Sequence, residues 1–199
     1  MDELRALFSP SCDKDKAMEK CKILAESYSD AVELESYSVS DLSPGIVDDS
    51  ETIARQVFSP IHIDREDNSI KPTAFDDVSN KGLSVNRLLH TNENNIHAAG
   101  HQKASNDNSK YIENGSPLKA NRAYLGYVSA SVIDIRRFLD EEHRVFTVYD
   151  SSLSEALEHA DVCMIKHDTN NPKGAKWVKM FRRRKLQEMF TPLIQPNPL

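Results

Sequence analysis

Apolar residues near the N-terminus of this chain recur at three- and four-residue steps. The stripe consists of Met18, Cys21, Ala25, Tyr28 and Val32, which is the spacing of one face of an α-helix. The pattern predicts a helical arm over residues 1–35. An apolar stripe needs a surface to lie against, and the sequence leaves open whether its own domain or a partner protein provides that surface.

Short runs of β-branched and aromatic residues follow in the middle of the chain. Strands are predicted over residues 53–58, 81–88, 124–132, 144–150 and 161–166 because such residues suit a pleated, half-buried surface. Short helices are predicted over 133–139 and 151–160, and a longer amphipathic helix over 173–190. Ser152 is the expected N-cap of the second, because it forms a capping-box pattern with Glu155. This succession predicts an α+β fold, with a mixed or antiparallel sheet, flanking helices and the N-terminal helical arm.

Three segments show neither the helical nor the strand pattern of apolar residues. Residues 36–51 are rich in turn-forming residues and are predicted to be a linker. Residues 91–121 contain seven Asn and few large apolar side chains, so they are predicted to be a polar surface insertion without regular structure. Residues 191–199 form a Pro-rich tail. A single domain over residues 52–190 remains, since neither of its halves carries enough apolar residues for a core of its own.

The composition excludes several classes of protein. No apolar run approaches the length needed to cross a bilayer, and the first residues lack the pattern of a signal peptide. The three cysteines are widely spaced and form no CxxC motif, which argues against a disulfide framework and indicates a reducing, cytoplasmic environment. The sequence also contains no phosphate-binding loop, dinucleotide fingerprint, HExxH or GxSxG motif.

The net charge of −6 is unevenly divided along the chain. Residues 1–50 hold twelve acidic and five basic side chains, residues 51–170 hold eighteen and thirteen, and the last 29 residues hold one and seven. This asymmetry indicates a binding partner. The seven cations of the C-terminal segment form a candidate binding surface for nucleic acid or a partner protein: Lys173, Lys176, Lys179, Arg182, Arg183, Arg184 and Lys185.

Three interpretations of this basic segment stay open. Cations at helical spacing suit the phosphates of a nucleic-acid backbone. They equally suit the acidic surface of another protein. They also suit a solvated helix whose apolar side packs on its own sheet.

A second candidate site lies on and beside the first two predicted strands. Its residues are two arginines, two histidines and a hydroxyl, namely Arg55, His62, Ser84, Arg87 and His90. Guanidinium groups match phosphate oxygens, and histidine transfers protons near neutral pH. The alternative is that the two arginines pair with Asp64, Asp76 or Asp77 and that the histidines lie on the surface.

Metal and cofactor binding is not expected. His159, Cys163 and His167 are spaced by four, but the residues between them predict a strand, so they do not share a helical face. Cys163 is expected to be a small buried apolar residue. His97 and His101, in the polar insertion, are the other weak candidates for metal ligands.

A succession of short motifs runs through the domain: IAR at 53–55, TAF at 73–75, GLSVNR at 82–87, DIR at 134–136 and HADV at 159–162. In this order the chain, over about residues 51–185, resembles small uncharacterised bacterial proteins. The resemblance implies a bacterial origin and a compact domain, and it supplies no activity and no catalytic residues. Proteins of this size include accessory subunits of multi-component bacterial systems, antiviral defence among them.

These observations favour a non-enzymatic accessory or adaptor protein that binds a larger protein. Its N-terminal helix would hold this partner, while its basic C-terminal helix would contact nucleic acid or the partner's acidic surface. The alternative is a small transferase of ribosyl or phosphoryl groups that uses the Arg/His/Ser cluster. That alternative requires Arg55 and Arg87 to lie in one pocket, because both guanidinium groups would have to reach the same phosphates.

Overall fold

The computed structural model describes residues 1–166 and 172–196, except for the side chains of Leu118 and residues 172–175. No helix in these ranges has the length and apolar character to cross a membrane. The α-helices are α1 (Asp2–Ala6), α2 (Lys14–Met18), α3 (Lys20–Glu26), α4 (Tyr28–Leu34), α5 (Glu93–Glu113), α6 (Val132–Arg136) and α7 (Pro172–Glu188).

Seven strands and two 3-10 helices complete the described elements. The 3-10 helices span Pro72–Ser79 and Pro117–Lys119. The strands are β1 (Thr52–Ser59), β2 (Leu83–Arg87), β3 (Ala123–Ser131), β4 (Leu139–Asp140), β5 (His143–Arg144), β6 (Phe146–Asp150) and β7 (His159–Met164).

Five of the strands form one antiparallel sheet in the order β3-β1-β2-β7-β6. The short strands β4 and β5 form a separate hairpin. The sheet and its helices confirm the predicted α+β class. All five predicted strands are present, and they pair in an order that differs from their order in the sequence, so the chain brings distant segments side by side.

The main core lies on one face of the sheet. Alternate strand residues such as Ile53, Leu83, Val85 and Val162 point to this face, where they pack with Phe75 of the first 3-10 helix. Leu186 of α7 is buried in the same cluster. The opposite face is covered in two places: by α5 over β1 and β3, and by the N-terminal helices over β6 and β7.

The N-terminal segment differs from the predicted single helix. It is broken into four short helices, with interruptions at Glu19 and Ser27, neither of which makes a side-chain capping bond. The predicted stripe is therefore not continuous: Cys21 is fully buried, Ala25, Tyr28 and Val32 are half-buried, and Met18 is exposed. The buried face packs on the protein's own strands through Tyr149 and Cys163, which places these residues in a second core and argues against a partner-binding helix.

The segment predicted to be an unstructured insertion is the 21-residue helix α5. The side chain of Asn92 caps this helix by accepting a hydrogen bond from the Asn95 amide at 2.9 Å. Ile96 and Ala104 are buried against the sheet, and a Cβ on Gly100 would overlap the ring of Tyr124. Packing on β3 thus stabilises a helix that its Asn-rich sequence does not favour.

The predicted helix over residues 151–160 is also wrong. Ser152, the expected N-cap, donates its hydroxyl to the Leu157 carbonyl and lies 2.9 Å from Asp150. Leu153 and Ala156 exchange backbone hydrogen bonds in a tight turn. The hydroxyl therefore stabilises a loop rather than the first turn of a helix.

The predicted linker, residues 36–51, contains no helix or strand but contacts the domain closely. The Val39 amide donates to the Asp150 carbonyl, Val47 is buried in the main core, and the carbonyls of Gly45 and Ile46 accept hydrogen bonds from Arg87. This segment closes one end of the sheet, next to the first residues of β1.

Residues 191–196, the described part of the predicted Pro-rich tail, pair with the free edge of β3. Tyr127 and Ile194 exchange backbone hydrogen bonds of 3.0 and 2.8 Å. The neighbouring Gly126 has a φ of +136°, and a Cβ there would overlap the Ile194 carbonyl. Glycine is therefore required for this close approach.

We expect Gly126→Ala to detach residues 191–196 from β3, because backbone strain and the overlap of the new Cβ with the Ile194 carbonyl act together. Hydrogen exchange at the Tyr127 amide should accelerate at least about tenfold, since an amide freed from its partner exchanges through smaller local openings. The matched control is Gly115→Ala, which imposes backbone strain at φ +68° but brings no atom of the described residues within 4 Å of the new Cβ. Equal exchange at Tyr127 in both variants would contradict the prediction.

Candidate functional site

The exposed side of α7 is the first candidate site. Trp177 is 70% exposed, Met180 48% and Phe181 44%, although large apolar side chains are usually buried. Together with Arg184 these residues follow helical spacing and share one side of the helix. With Pro72, Lys185 and Glu188 they line a groove of about 350 Å³, which we call the α7 groove.

Two of the predicted partner-binding cations are instead structural. Arg182 is 1% exposed; its Nε donates to Asp140 Oδ2 at 2.8 Å and its Nη1 to the Lys166 carbonyl at 2.7 Å. Arg183 pairs with Asp76 at 2.6 Å and is mostly buried. Both face the protein's own acidic groups because α7 lies with this side on the domain.

The other cations of the segment are placed differently. Lys176 is exposed and Lys179 is half-buried. Arg184 and Lys185 lie on the surface, 3.6 and 2.7 Å from the Glu188 carboxylate. Lys173 lies in the first turn of α7, and its side chain is outside the described part. The exposed surface is thus a mixture of aromatic and basic groups with one acidic residue.

A cleft on the other side of the molecule is the second candidate site. Ser84 and Asn86 alternate along β2 with the core residues Leu83 and Val85, so they point to the opposite face of the sheet. Between α5 and the N-terminal helices this face is open and forms a cavity of about 410 Å³. We call it the central cleft.

Of the five residues in the predicted Arg/His/Ser cluster, three line this cleft: Arg55, His62 and Ser84. Further charged groups reach it from α5 and the surrounding loops, namely Asp77, Lys81, Lys103, Asp107 and Arg122. Asp77 lies 3.4 Å from Lys81, and Asp107 lies 3.1 Å from Arg122. Because each of these pairs is neutral overall, Arg55 and Lys103 give the central cleft a net positive charge.

Arg55 sits where the β1–β2 ladder opens, beyond the Ala54–Asn86 pair. Its Nη1 donates to the Ser84 carbonyl at 3.0 Å and its Nη2 to the Ala74 carbonyl at 3.3 Å, while its Nε is buried without a partner among the described residues. Within the described ranges no carboxylate forms an ion pair with it. Burial lowers the pKa of Arg55, partly offset by Asp77 and Asp161, yet a guanidinium remains charged at neutral pH.

His62 contributes a neutral donor to the cleft. Burial, together with the charges of Arg55, Arg122 and Lys103, lowers the pKa of His62 to about 3. Its Nδ1 accepts a hydrogen bond from the Phe58 amide at 3.2 Å. The proton of the neutral ring is therefore on Nε2.

His159 of β7 lies beside Ser84 on the floor of the cleft. Its Nε2 is 3.0 Å from Ser84 Oγ, and its Nδ1 is 3.0 Å from both the carbonyl oxygen and the hydroxyl of Ser151. A carbonyl oxygen only accepts, so the bond to the Ser151 carbonyl requires a proton on Nδ1. In the neutral form of the ring, the Nε2 lone pair then faces Ser84.

Asp161 and Lys20 form a buried ion pair beneath this histidine. Lys20 Nζ donates to Asp161 Oδ2 at 2.9 Å, and Asp161 Oδ1 lies 4.0 Å from His159 Nε2. Burial alone would raise the pKa of Asp161, but the positive charge of Lys20 holds it below its usual value. The carboxylate is therefore ionised at neutral pH.

The other two residues of the predicted cluster lie elsewhere. Arg87 is buried at the end of β2, where it bonds to Glu51 at 2.6 Å and lies 3.4 Å from Asp150. His90 is exposed and does not line the central cleft. Arg55 and Arg87 thus do not share a pocket, and the transferase hypothesis in its five-residue form is wrong. The suggested pairing of Arg87 with Asp64, Asp76 or Asp77 is also wrong, because Glu51 and Asp150 are closer.

The weak metal candidates have other partners. His97 Nδ1 lies 3.0 Å from the Tyr124 hydroxyl, and His101 packs its ring on Tyr124. Cys163 is buried with Cys21 in the second core, and His167 lies outside the described residues. Within the described part of the chain, no three His, Cys, Asp or Glu side chains are grouped so as to hold a metal ion.

Ser84 and His159 are both candidate residues in the sequence, but they belong to different predicted sites. His159 lies directly opposite Asn86 in the β2–β7 ladder, one step diagonally from Ser84. Seventy-five residues separate the two in sequence, and no local pattern indicates the pairing. No family model, curated protein or solved structure matches this chain, so the site is interpreted from its geometry.

Proposed function

We propose that the protein is an accessory protein that binds a partner protein through the α7 groove. The observation that carries this proposal is the 70% exposure of Trp177 beside Met180 and Phe181. An exposed apolar patch of this kind is typical of interaction sites. Aromatic residues, Met and Arg are enriched at the centres of protein interfaces, and Trp is a frequent energetic hot spot.

The charges around the groove favour a protein over a nucleic acid. Arg182 and Arg183 are committed to Asp140 and Asp76, so they do not neutralise phosphates. Glu188 lies between the exposed Arg184 and Lys185 and would repel a polyanion. Because Glu188 already partly neutralises Arg184 and Lys185, a nucleic acid bound here would release fewer counterions than the seven cations suggest. The preferred occupant is therefore an apolar segment that carries one or two acidic side chains.

The proposal predicts that Trp177→Ala weakens partner binding by about 2 kcal/mol, roughly 30-fold in Kd. A partner is first identified by cross-linking from a photoreactive residue placed at position 177. The Kd is then measured by calorimetry with both proteins purified. The matched control is Ile112→Ala on α5, which removes another exposed apolar side chain, 61% exposed, outside the groove.

Three results would contradict the proposal. In the first, Ile112→Ala weakens binding as much as Trp177→Ala does. In the second, Arg184→Glu leaves the affinity for an acidic partner unchanged. In the third, the cross-linked material is nucleic acid, which would replace the protein partner.

A further inference from the structure

We propose that Ser84 and His159 are the nucleophile and general base of a hydrolytic site that cleaves small anionic carboxylic esters. The site lies in the central cleft and is independent of the α7 groove. An active site here would make the accessory protein an enzyme, in contrast to the non-enzymatic protein favoured by the sequence.

The geometry of the pair meets the requirements for an activated serine. Ser84 Oγ is 3.0 Å from His159 Nε2, within hydrogen-bond reach. The Ser151 carbonyl binds Nδ1 and so selects the tautomer with a basic Nε2. Ser84 is exposed and therefore open to substrate. A nucleophile, a base and a group that orients the base are the three parts that such chemistry needs.

The shape of the surroundings indicates where a substrate would lie. A second cavity of about 260 Å³ adjoins the central cleft, and both cavities are lined by Lys81, Ser84, Leu153 and His159. The second cavity also has apolar walls from the N-terminal segment, Leu7, Phe8 and Ala17. Ser84 and His159 thus lie at the junction between the positively charged central cleft and the partly apolar second cavity. An ester bound across this junction would place its anionic part in the cleft and a small apolar part in the second cavity.

Charge supports the anionic class of substrate. Arg55 has no carboxylate partner in the described residues, and its guanidinium is bonded to the Ser84 carbonyl, close to the nucleophile. Lys103 adds a second positive charge from α5. Positive charge at this position also favours the negative charge that develops on the ester carbonyl oxygen during attack.

The reaction balances without a cofactor. Ser84 Oγ forms a bond to the ester carbonyl carbon while its proton passes to His159 Nε2. The bond from carbon to the alcohol oxygen then breaks, and Nε2 returns the proton to the departing alcohol. Water attacks the acyl-serine with His159 again as base, which releases the carboxylic acid and restores both residues.

A fluorophosphonate probe tests the pair without knowledge of the natural substrate. The serine oxygen forms a bond to phosphorus, fluoride leaves, and the product is mapped by mass spectrometry. We expect labelling at Ser84 in the full-length protein, none at this position in Ser84→Ala, and labelling at least about 100-fold slower in His159→Gln. The matched control is Ser154→Ala, which removes a nearby exposed hydroxyl that is bonded to Glu155 and should label as fast as the wild type.

The charge of the substrate is tested with two nitrophenyl esters, the neutral acetate and the anionic hemisuccinate. We expect the hemisuccinate to have the higher kcat/KM. Lys103→Glu should lower kcat/KM about tenfold for the anionic ester only, measured at low salt.

The proposal is overturned if the wild-type protein is not labelled at Ser84. It is equally overturned if His159→Gln, shown by circular dichroism to be folded, labels at the wild-type rate. A higher kcat/KM for the acetate would remove the anionic substrate class. Trp177→Ala should label normally, because the α7 groove is a separate site.

Discussion

Replacing Arg87 by methionine should lower the free energy of unfolding by about 3–5 kcal/mol. Arg87 and its two carboxylate partners, Glu51 and Asp150, have side chains no more than 2% exposed. Its guanidinium also donates to the carbonyls of Gly45 and Ile46. Methionine fills similar space but deprives two buried carboxylates and two carbonyls of the guanidinium that binds them. Removing one partner of a buried ion pair costs more than replacing the whole pair by apolar residues, because the remaining charge stays buried.

Urea denaturation monitored by circular dichroism measures this loss. The matched control is Arg5→Met, which breaks the exposed pair of Arg5 and Asp41 and should cost no more than about 1 kcal/mol. Arg87→Lys retains the charge but not the planar fork, so its stability should lie between the wild type and Arg87→Met. Similar losses in Arg87→Met and Arg5→Met would refute a structural role for the buried arginine.

The ion pair of Arg87 and Glu51 also affects how the free energy of unfolding depends on pH. Burial alone would raise the pKa of Glu51, but hydrogen bonds from Arg87 hold it below its usual value of 4.5. A carboxyl whose pKa is lower in the folded state stabilises the fold fully above that usual value. This contribution disappears as the pH falls through the lower folded pKa, and it should be smaller in Arg87→Met.

The second large effect is expected for Arg182→Glu, which should lower the free energy of unfolding by about 3–5 kcal/mol. The substitution removes the cation that binds Asp140 and the Lys166 carbonyl. It also adds a negative charge to a side-chain position that is 1% exposed. Thermal and urea denaturation measure the loss of stability.

Arg184→Glu is the matched control on the same helix. Its side chain is 73% exposed, so the reversal should change stability by no more than about 0.5 kcal/mol. It should nevertheless weaken binding of an acidic partner at the α7 groove. Equal destabilisation by the two reversals would contradict the division of α7 into an inward and an outward side.

Because α7 has an inward and an outward side, substitutions on its inward side affect stability as well as binding. Joint reversal of Arg182, Arg183 and Arg184 would abolish binding simply by unfolding the helix from its domain. Trp177→Ala and Arg184→Glu alter the exposed side alone, so a loss of binding in these variants reports on the surface.

Regular alternation and strong β propensity were sufficient to predict the strands of the sheet, because such runs have few other stable arrangements. The Asn-rich helix α5 was missed for the opposite reason: its residues have weak helix propensity, and burial of Ile96 and Ala104 on the sheet supplies its stability. Ser152 does not cap a helix, because a serine hydroxyl binds loop carbonyls as readily as helix amides.

The α+β class, the five strands of the main sheet, the amphipathic α7 and its concentration of positive charge all follow from local patterns in the chain. Which polar groups meet depends on how these elements pack. The pairing of β2 with β7 brings His159 to Ser84, and the rotation of α7 on its domain buries Arg182 while it exposes Trp177. Local sequence encodes periodicity over a few residues, whereas strand register and helix rotation depend on contacts between segments far apart in the chain.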